Sequence, residues 1–82
     1  MLKLREGWEV IEQADAADPD ECDEVRSPDG VLLCEHYGIS GDVYMSHDGG
    51  CSRVGNGSTN WTQIAHLSFL AAGLESPWEE SC

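Results

Sequence analysis

Cys34-Glu35-His36 and His47-x-x-x-Cys51 each bring two potential metal ligands close together, and Cys22 could join them across a hairpin. Thiolate and imidazole suit zinc, so Cys22, Cys34, His36 and Cys51 are one possible structural set. The C-x₂₋₄-C knuckles that usually mark such sites are missing. Ser46-His47-Asp48 holds the residue types of a nucleophilic relay, but neighbours along a strand and turn cannot line up into one. Gly50 to Thr59 has the look of a phosphate loop ahead of a helix. However, Asn56 stands where that loop requires lysine. No catalytic residue and no cofactor is expected.

The carboxylates carry a stronger signal. Eight of the chain's 16 acids lie between Glu9 and Glu24: Glu9, Glu12, Asp15, Asp18, Asp20, Glu21, Asp23 and Glu24. That stretch contains no lysine or arginine, and the 82-residue chain has a formal charge of −12. A one-signed field of this kind favours docking to a basic surface and repels nucleic acid. Along an extended strand, acids at i and i+2 share a face about 6.6 Å apart. Rows of this sort can stand in for backbone phosphates before a groove lined with lysine and arginine. Glu35 and Asp42 extend the expected surface, and Trp8 or Tyr37 could supply an aromatic anchor.

The elements that must position these groups are legible in outline. Trp8 to Gln13 alternates as a strand does; Trp8, Ile11 and Ala14 would also fit a short helix, and the strand is the favoured reading. Ser27-Pro28-Asp29-Gly30 has the proline and glycine of a type I turn, and it joins Cys22–Arg26 to Val31–Tyr37 in a predicted hairpin. Asp42–Ser46 and Cys51–Val54 form a second hairpin around His47-Asp48-Gly49-Gly50. Trp61 to Ala72 is the best helix. Asn60 and Gln63 suggest a capping box, Gly73 a stop, and Ile64, Leu67, Leu70, Ala71 and Leu74 an apolar face. The expected fold is α+β: an antiparallel sheet of four to five strands with one C-terminal amphipathic helix packed on one face. Residues 1–82 form a single small domain, and the tail from about residue 75 is mobile unless Trp78 packs back.

Composition bounds the rest. Apolar content of 40%, with Trp8, Trp61, Trp78, Phe69, Tyr37 and Tyr44 as anchors, favours a folded domain over disorder. No apolar run approaches the ~20 residues of a membrane-spanning helix. Met1 to Glu6 lacks the apolar centre of a signal peptide, so a cytoplasmic location is expected and the cysteines are expected as thiols.

Two resemblances follow from residues already quoted. Ser46 to Arg53 resembles the Asp-box, S-x-D-x-G-x-T-W, a structural hairpin turn of sialidase-type propellers. Serine replaces its threonine and Arg53 its tryptophan, so the likeness implies a hairpin and no glycosidase. In size and acidity the whole chain is similar to phage-encoded inhibitors of bacterial defence, DNA-mimicking anti-CRISPR proteins above all. That likeness implies a non-enzymatic inhibitor in the bacterial cytoplasm, which would occupy a basic nucleic-acid-binding site on a partner such as a CRISPR effector complex. The alternatives are a small zinc-stabilised module and an acidic accessory domain.

Overall fold

A computed structural model of the chain describes residues 1–13, 17–18, 20–47, 50–57 and 60–80, with His47 described in its backbone alone. The order is β1 (Leu2–Leu4), β2 (Glu9–Ile11), β3 (Cys22–Arg26), β4 (Leu32–Tyr37), β5 (Asp42–His47), β6 (Gly50–Asn56), α1 (Trp61–Ala71) and β7 (Trp78–Glu80). Strands β2-β3-β4-β5-β6 make an antiparallel five-stranded sheet, so the expected α+β architecture is what the chain adopts. A second, two-stranded sheet of β1 and β7 was not foreseen.

The β3–β4 hairpin follows from its turn. Pro28 presets φ, and Gly30 takes φ +82°, a conformation that side chains with a Cβ resist. The Gly30 N–H donates to the Ser27 carbonyl at 2.9 Å, and the Ser27 N–H donates to the Val31 carbonyl at 2.9 Å. This is a type I turn closed by a left-handed glycine, whose twist matches that of the strands it joins. The turn sets Arg26 opposite Leu32, and a register shift between Val25 and Arg26 then places Asp23 opposite His36, Glu24 opposite Glu35 and Val25 opposite Cys34.

Alternation divides the sheet into two faces. Asp23, Val25, Cys34, His36, Val43 and Met45 are buried on the face that α1 covers, and Val25, Cys34 and Val43 are fully sealed. Cys22, Glu24, Glu35, Tyr37, Tyr44 and Arg53 alternate onto the other, uncovered face. Gly55 lets the helix approach, because a Cβ there would meet Ile64 Cγ2 at 2.5 Å.

The helix presents a different stripe from the one its leucines suggest. Trp61, Ala65, His66 and Phe69 are buried, while Leu67, Leu70 and Leu74 are 52%, 53% and 48% exposed. Large rings at positions 61, 66 and 69 fill more of the space over the sheet than the leucines could, and packing sets the rotation of the helix. The capping box is also absent. Asn60, at φ −114° and ψ 22°, makes no side-chain cap, and its carbonyl takes the N–H groups of Gln63 and Ile64. Gly73 does end the helix: its N–H bonds to the Leu70 carbonyl while the Leu74 N–H reaches the Phe69 carbonyl.

Residues 75–80 do not form a loose tail. Ser76, Pro77 and Trp78 are buried, Trp78 meets Trp61 edge-on with ring centroids 5.9 Å apart, and β7 pairs with β1. The Arg5 Nε donates to the Ser76 carbonyl at 2.7 Å and holds this junction. His66 Nδ1 lies 2.6 Å from Ser76 Oγ, which itself accepts the Trp78 N–H.

The rotation of the helix has a direct test in urea unfolding. Phe69→Ala is expected to cost about 3–5 kcal/mol. Leu70→Ala is expected to stay within about 0.5 kcal/mol of the parent. Equal losses would mean that the leucine face is the buried one.

Candidate functional site

The ten acids singled out in the sequence do not form one surface. Asp23 leaves it altogether. The residue is 8% exposed on the helix-covered face, where Oδ2 lies 2.9 Å from His36 Nδ1 and Oδ1 accepts the Gln13 N–H at 2.9 Å. His36 Nε2 donates to the Gly57 carbonyl at 3.0 Å, and its ring stacks on Trp61 at 4.9 Å with planes 3° apart. A carbonyl can only accept, so Nε2 is the donor there, and Nδ1 is left to face the Asp23 carboxyl. This node ties β3, β4 and the loop that leads into α1. Counting back from the Ser27–Gly30 turn would set Asp23 opposite Glu35; an irregularity between Val25 and Arg26 shifts the register by one and brings His36 there instead, a step the sequence does not announce.

A second group is exposed. Glu9, Glu12, Asp20 and Glu21 face solvent along the β2 edge and the connection to β3. Among the described residues, no lysine or arginine pairs with any of the four. Asp18 is half-buried and shapes this connection, its Oδ1 accepting the Asp20 N–H at 2.9 Å. Asp15 lies outside the described residues.

Glu24, Glu35 and Asp42 belong to the uncovered sheet face. Arg26 places Nη2 at 3.0 Å and Nε at 3.2 Å from Glu24 Oε1. Asp42 accepts from Asn56 at 3.0 Å and from Arg53 Nε at 2.8 Å, and these two bonds hold its carboxyl below the ordinary range. Among the described residues, no lysine or arginine pairs with Glu35. Its Oε2 accepts the Cys22 thiol at 3.3 Å and the Tyr37 hydroxyl at 3.4 Å. Burial first, then the hydrogen bond to Glu35 and the charge of Glu35, push the Cys22 thiol up to about 11. Burial and the charge of Glu35 likewise push the Tyr37 phenol up to about 12. Both groups are therefore neutral at neutral pH, and the negative charge stays on the carboxylates.

The four residues of the possible zinc set are split by the sheet. Cys34 and His36 are sealed on the helix side, Cys34 with its thiol pushed up to about 12 chiefly by burial, while Cys22 and exposed Cys51 lie on the other side. Among the described residues, the ligand atoms that do converge are those of Cys22, Glu24 and Glu35, all within 4.8 Å of one another. One of these carboxylates is already held by Arg26, which leaves a poorer donor set than zinc sites use.

The relay reading falls on His47 and Asp48, whose side chains lie outside the described residues; Gly50 and Gly55 sit within strand β6. The Asp-box likeness falls on the β5–β6 hairpin, where His47 pairs with Gly50. Sequence reasoning missed one serine–histidine contact, Ser76 with His66. At 1% and 4% exposure these two lock the C-terminal strand, out of reach of a substrate.

No protein-family model, no curated protein and no solved structure matches this chain.

The division of the acids is open to measurement by thermal or urea unfolding. Asp23→Ala is expected to cost about 3 kcal/mol or more, because it strips a buried, hydrogen-bonded ring of its partner. Glu21→Gln is expected to fall within about 0.5 kcal/mol of the parent. A harmless Asp23→Ala would show that the buried pair does not organise the fold.

Proposed function

We propose that the chain is a non-enzymatic inhibitor that uses its outward carboxylates to occupy a basic nucleic-acid-binding site on a partner protein. The observation that carries this reading is the distribution of neutralising charge. The chain has four lysines and arginines, and the three arginines are taken up by Glu79, Glu24 and Asp42. The exposed acids Glu9, Glu12, Asp20 and Glu21 are left without a described cation, on a molecule of net charge −12. Such an arrangement opposes the compact state by self-repulsion and is relieved when a cationic surface docks.

The reading predicts mechanism as well as partner class. Carboxylates steer the encounter, so association is fast at low salt and weakens as salt screens it. Occupying the basic channel excludes nucleic acid by direct competition and needs no chemistry. A CRISPR effector complex in a bacterial cytoplasm is a partner of this kind, in keeping with the compositional likeness to phage-encoded DNA mimics. No helix among the described residues is long and apolar enough to cross a membrane.

The structure selects the residues for the test. Asp23 is excluded because its loss acts on folding. Glu9, Glu12, Asp20 and Glu21 are changed together to lysine, and folding is checked by circular dichroism. Both proteins are used as bait in bacterial lysate at low salt. The parent is expected to retain a nucleic-acid-binding protein that duplex DNA or added salt releases. The folded variant is expected to bind that protein at least about tenfold more weakly. Retention that survives salt, DNA and the four substitutions would overturn the proposal.

A further inference from the structure

The uncovered face of the five-stranded sheet holds a depression of about 260 Å³, lined by Glu35, Tyr37, Ser40, Tyr44 and Cys51. Cavities that take whole small molecules start near ~300 Å³, so this one fits a single side-chain head group better than a metabolite. Its walls are chemically specific. Tyr37 and Tyr44 meet edge to face with ring centroids 5.6 Å apart, and Glu35 lies directly across the strand pair from Tyr44. A carboxylate beside two phenol rings is complementary to a planar cation, which can lie against a ring while it donates to the acid.

The same face shows what is missing at this point. Glu24 and Glu35 are directly opposite each other on β3 and β4, a like-charge pair that destabilises a sheet. Arg26 answers Glu24 with two N–H donors. Among the described residues, Glu35 receives the neutral thiol of Cys22 and the neutral hydroxyl of Tyr37, both on Oε2, and Oε1 makes no hydrogen bond to them. Arg53, opposite Tyr44 on β6, turns to Asp42. A second guanidinium brought in from outside would answer Glu35 as Arg26 answers Glu24.

We propose that this depression is the receptor for one arginine side chain of a basic partner, held between the Tyr37–Tyr44 pair and the Glu35 carboxylate. The inference rests on the decoy reading for the source of the arginine, and it adds a defined anchor to an otherwise diffuse acidic surface. Arginine is selected over lysine because its guanidinium is planar, more weakly hydrated and able to stack on an aromatic ring.

The probe is N-acetyl-arginine amide, titrated into the full chain while the ring resonances of Tyr37 and Tyr44 are followed by NMR. Saturable shifts at both rings are expected, with N-acetyl-lysine amide several-fold weaker. Glu35→Gln is expected to weaken arginine binding by about tenfold or more. Because that change removes a like-charge pair, the variant should keep its unfolding midpoint, so lost binding will not be lost folding. Changing Glu9, Glu12, Asp20 and Glu21 to lysine should leave saturable ring shifts in place. Shifts that never saturate, or that persist unchanged in Glu35→Gln, would overturn the receptor. Saturable shifts in a protein that captures no nucleic-acid-binding partner would support the receptor and overturn the decoy. Capture that DNA competes away, without ring shifts, would do the reverse.

Discussion

The Asp23–His36 pair is the interaction on which the arrangement of the chain depends. It joins β3 to β4, and through the Gly57 carbonyl and the Trp61 ring it fixes where the helix begins over the sheet. Burying an acid in so acidic a molecule is unfavourable unless a partner and hydrogen bonds compensate, and here the imidazole and the Gln13 N–H supply them. Once Trp61 is held there, Ala65 and Phe69 follow onto the sheet at helical spacing, and Trp78 closes the core from the C-terminal side. Among the described residues no further element covers the opposite face of the sheet, which carries Cys22, Glu24, Glu35, Tyr37 and Tyr44.

Local signals were easy to read and long-range ones were not. Pro28 and Gly30 act within their own turn, so the first hairpin could be placed almost to the residue. Gly73 ends the helix through bonds within one turn, and it was equally legible. The helix face was misread because Leu67, Leu70 and Leu74 are the more hydrophobic choice in isolation. The space over the sheet instead takes Trp61, His66 and Phe69. The β1–β7 pair unites the two ends of the chain through three residues on each side, and neither Leu-Lys-Leu nor Trp-Glu-Glu carries a pattern that announces its partner.

The acidic signal was legible as charge and illegible as geometry. One sequence stretch turned out to contain a buried structural acid, Asp23, a half-buried acid paired with arginine, Glu24, and the exposed set Glu9, Glu12, Asp20 and Glu21. Period-two alternation sends neighbouring acids to opposite faces, so a run of like residues cannot remain a single patch once it enters a sheet. Glu35 gained its interest from position alone, between two tyrosines and opposite another acid. Nothing in the local sequence around Cys34-Glu35-His36 distinguishes it from a metal-ligand pair, yet the strand turns its neighbours inward and Glu35 outward.

The central claim is that this protein and nucleic acid compete for the same basic site. The direct measurement is to saturate the captured partner with labelled duplex DNA, add the acidic protein in excess, and ask by native mass spectrometry which assemblies exist. The account predicts two binary complexes that exchange with concentration and no species containing all three components. A stable ternary complex of partner, DNA and this protein would contradict it.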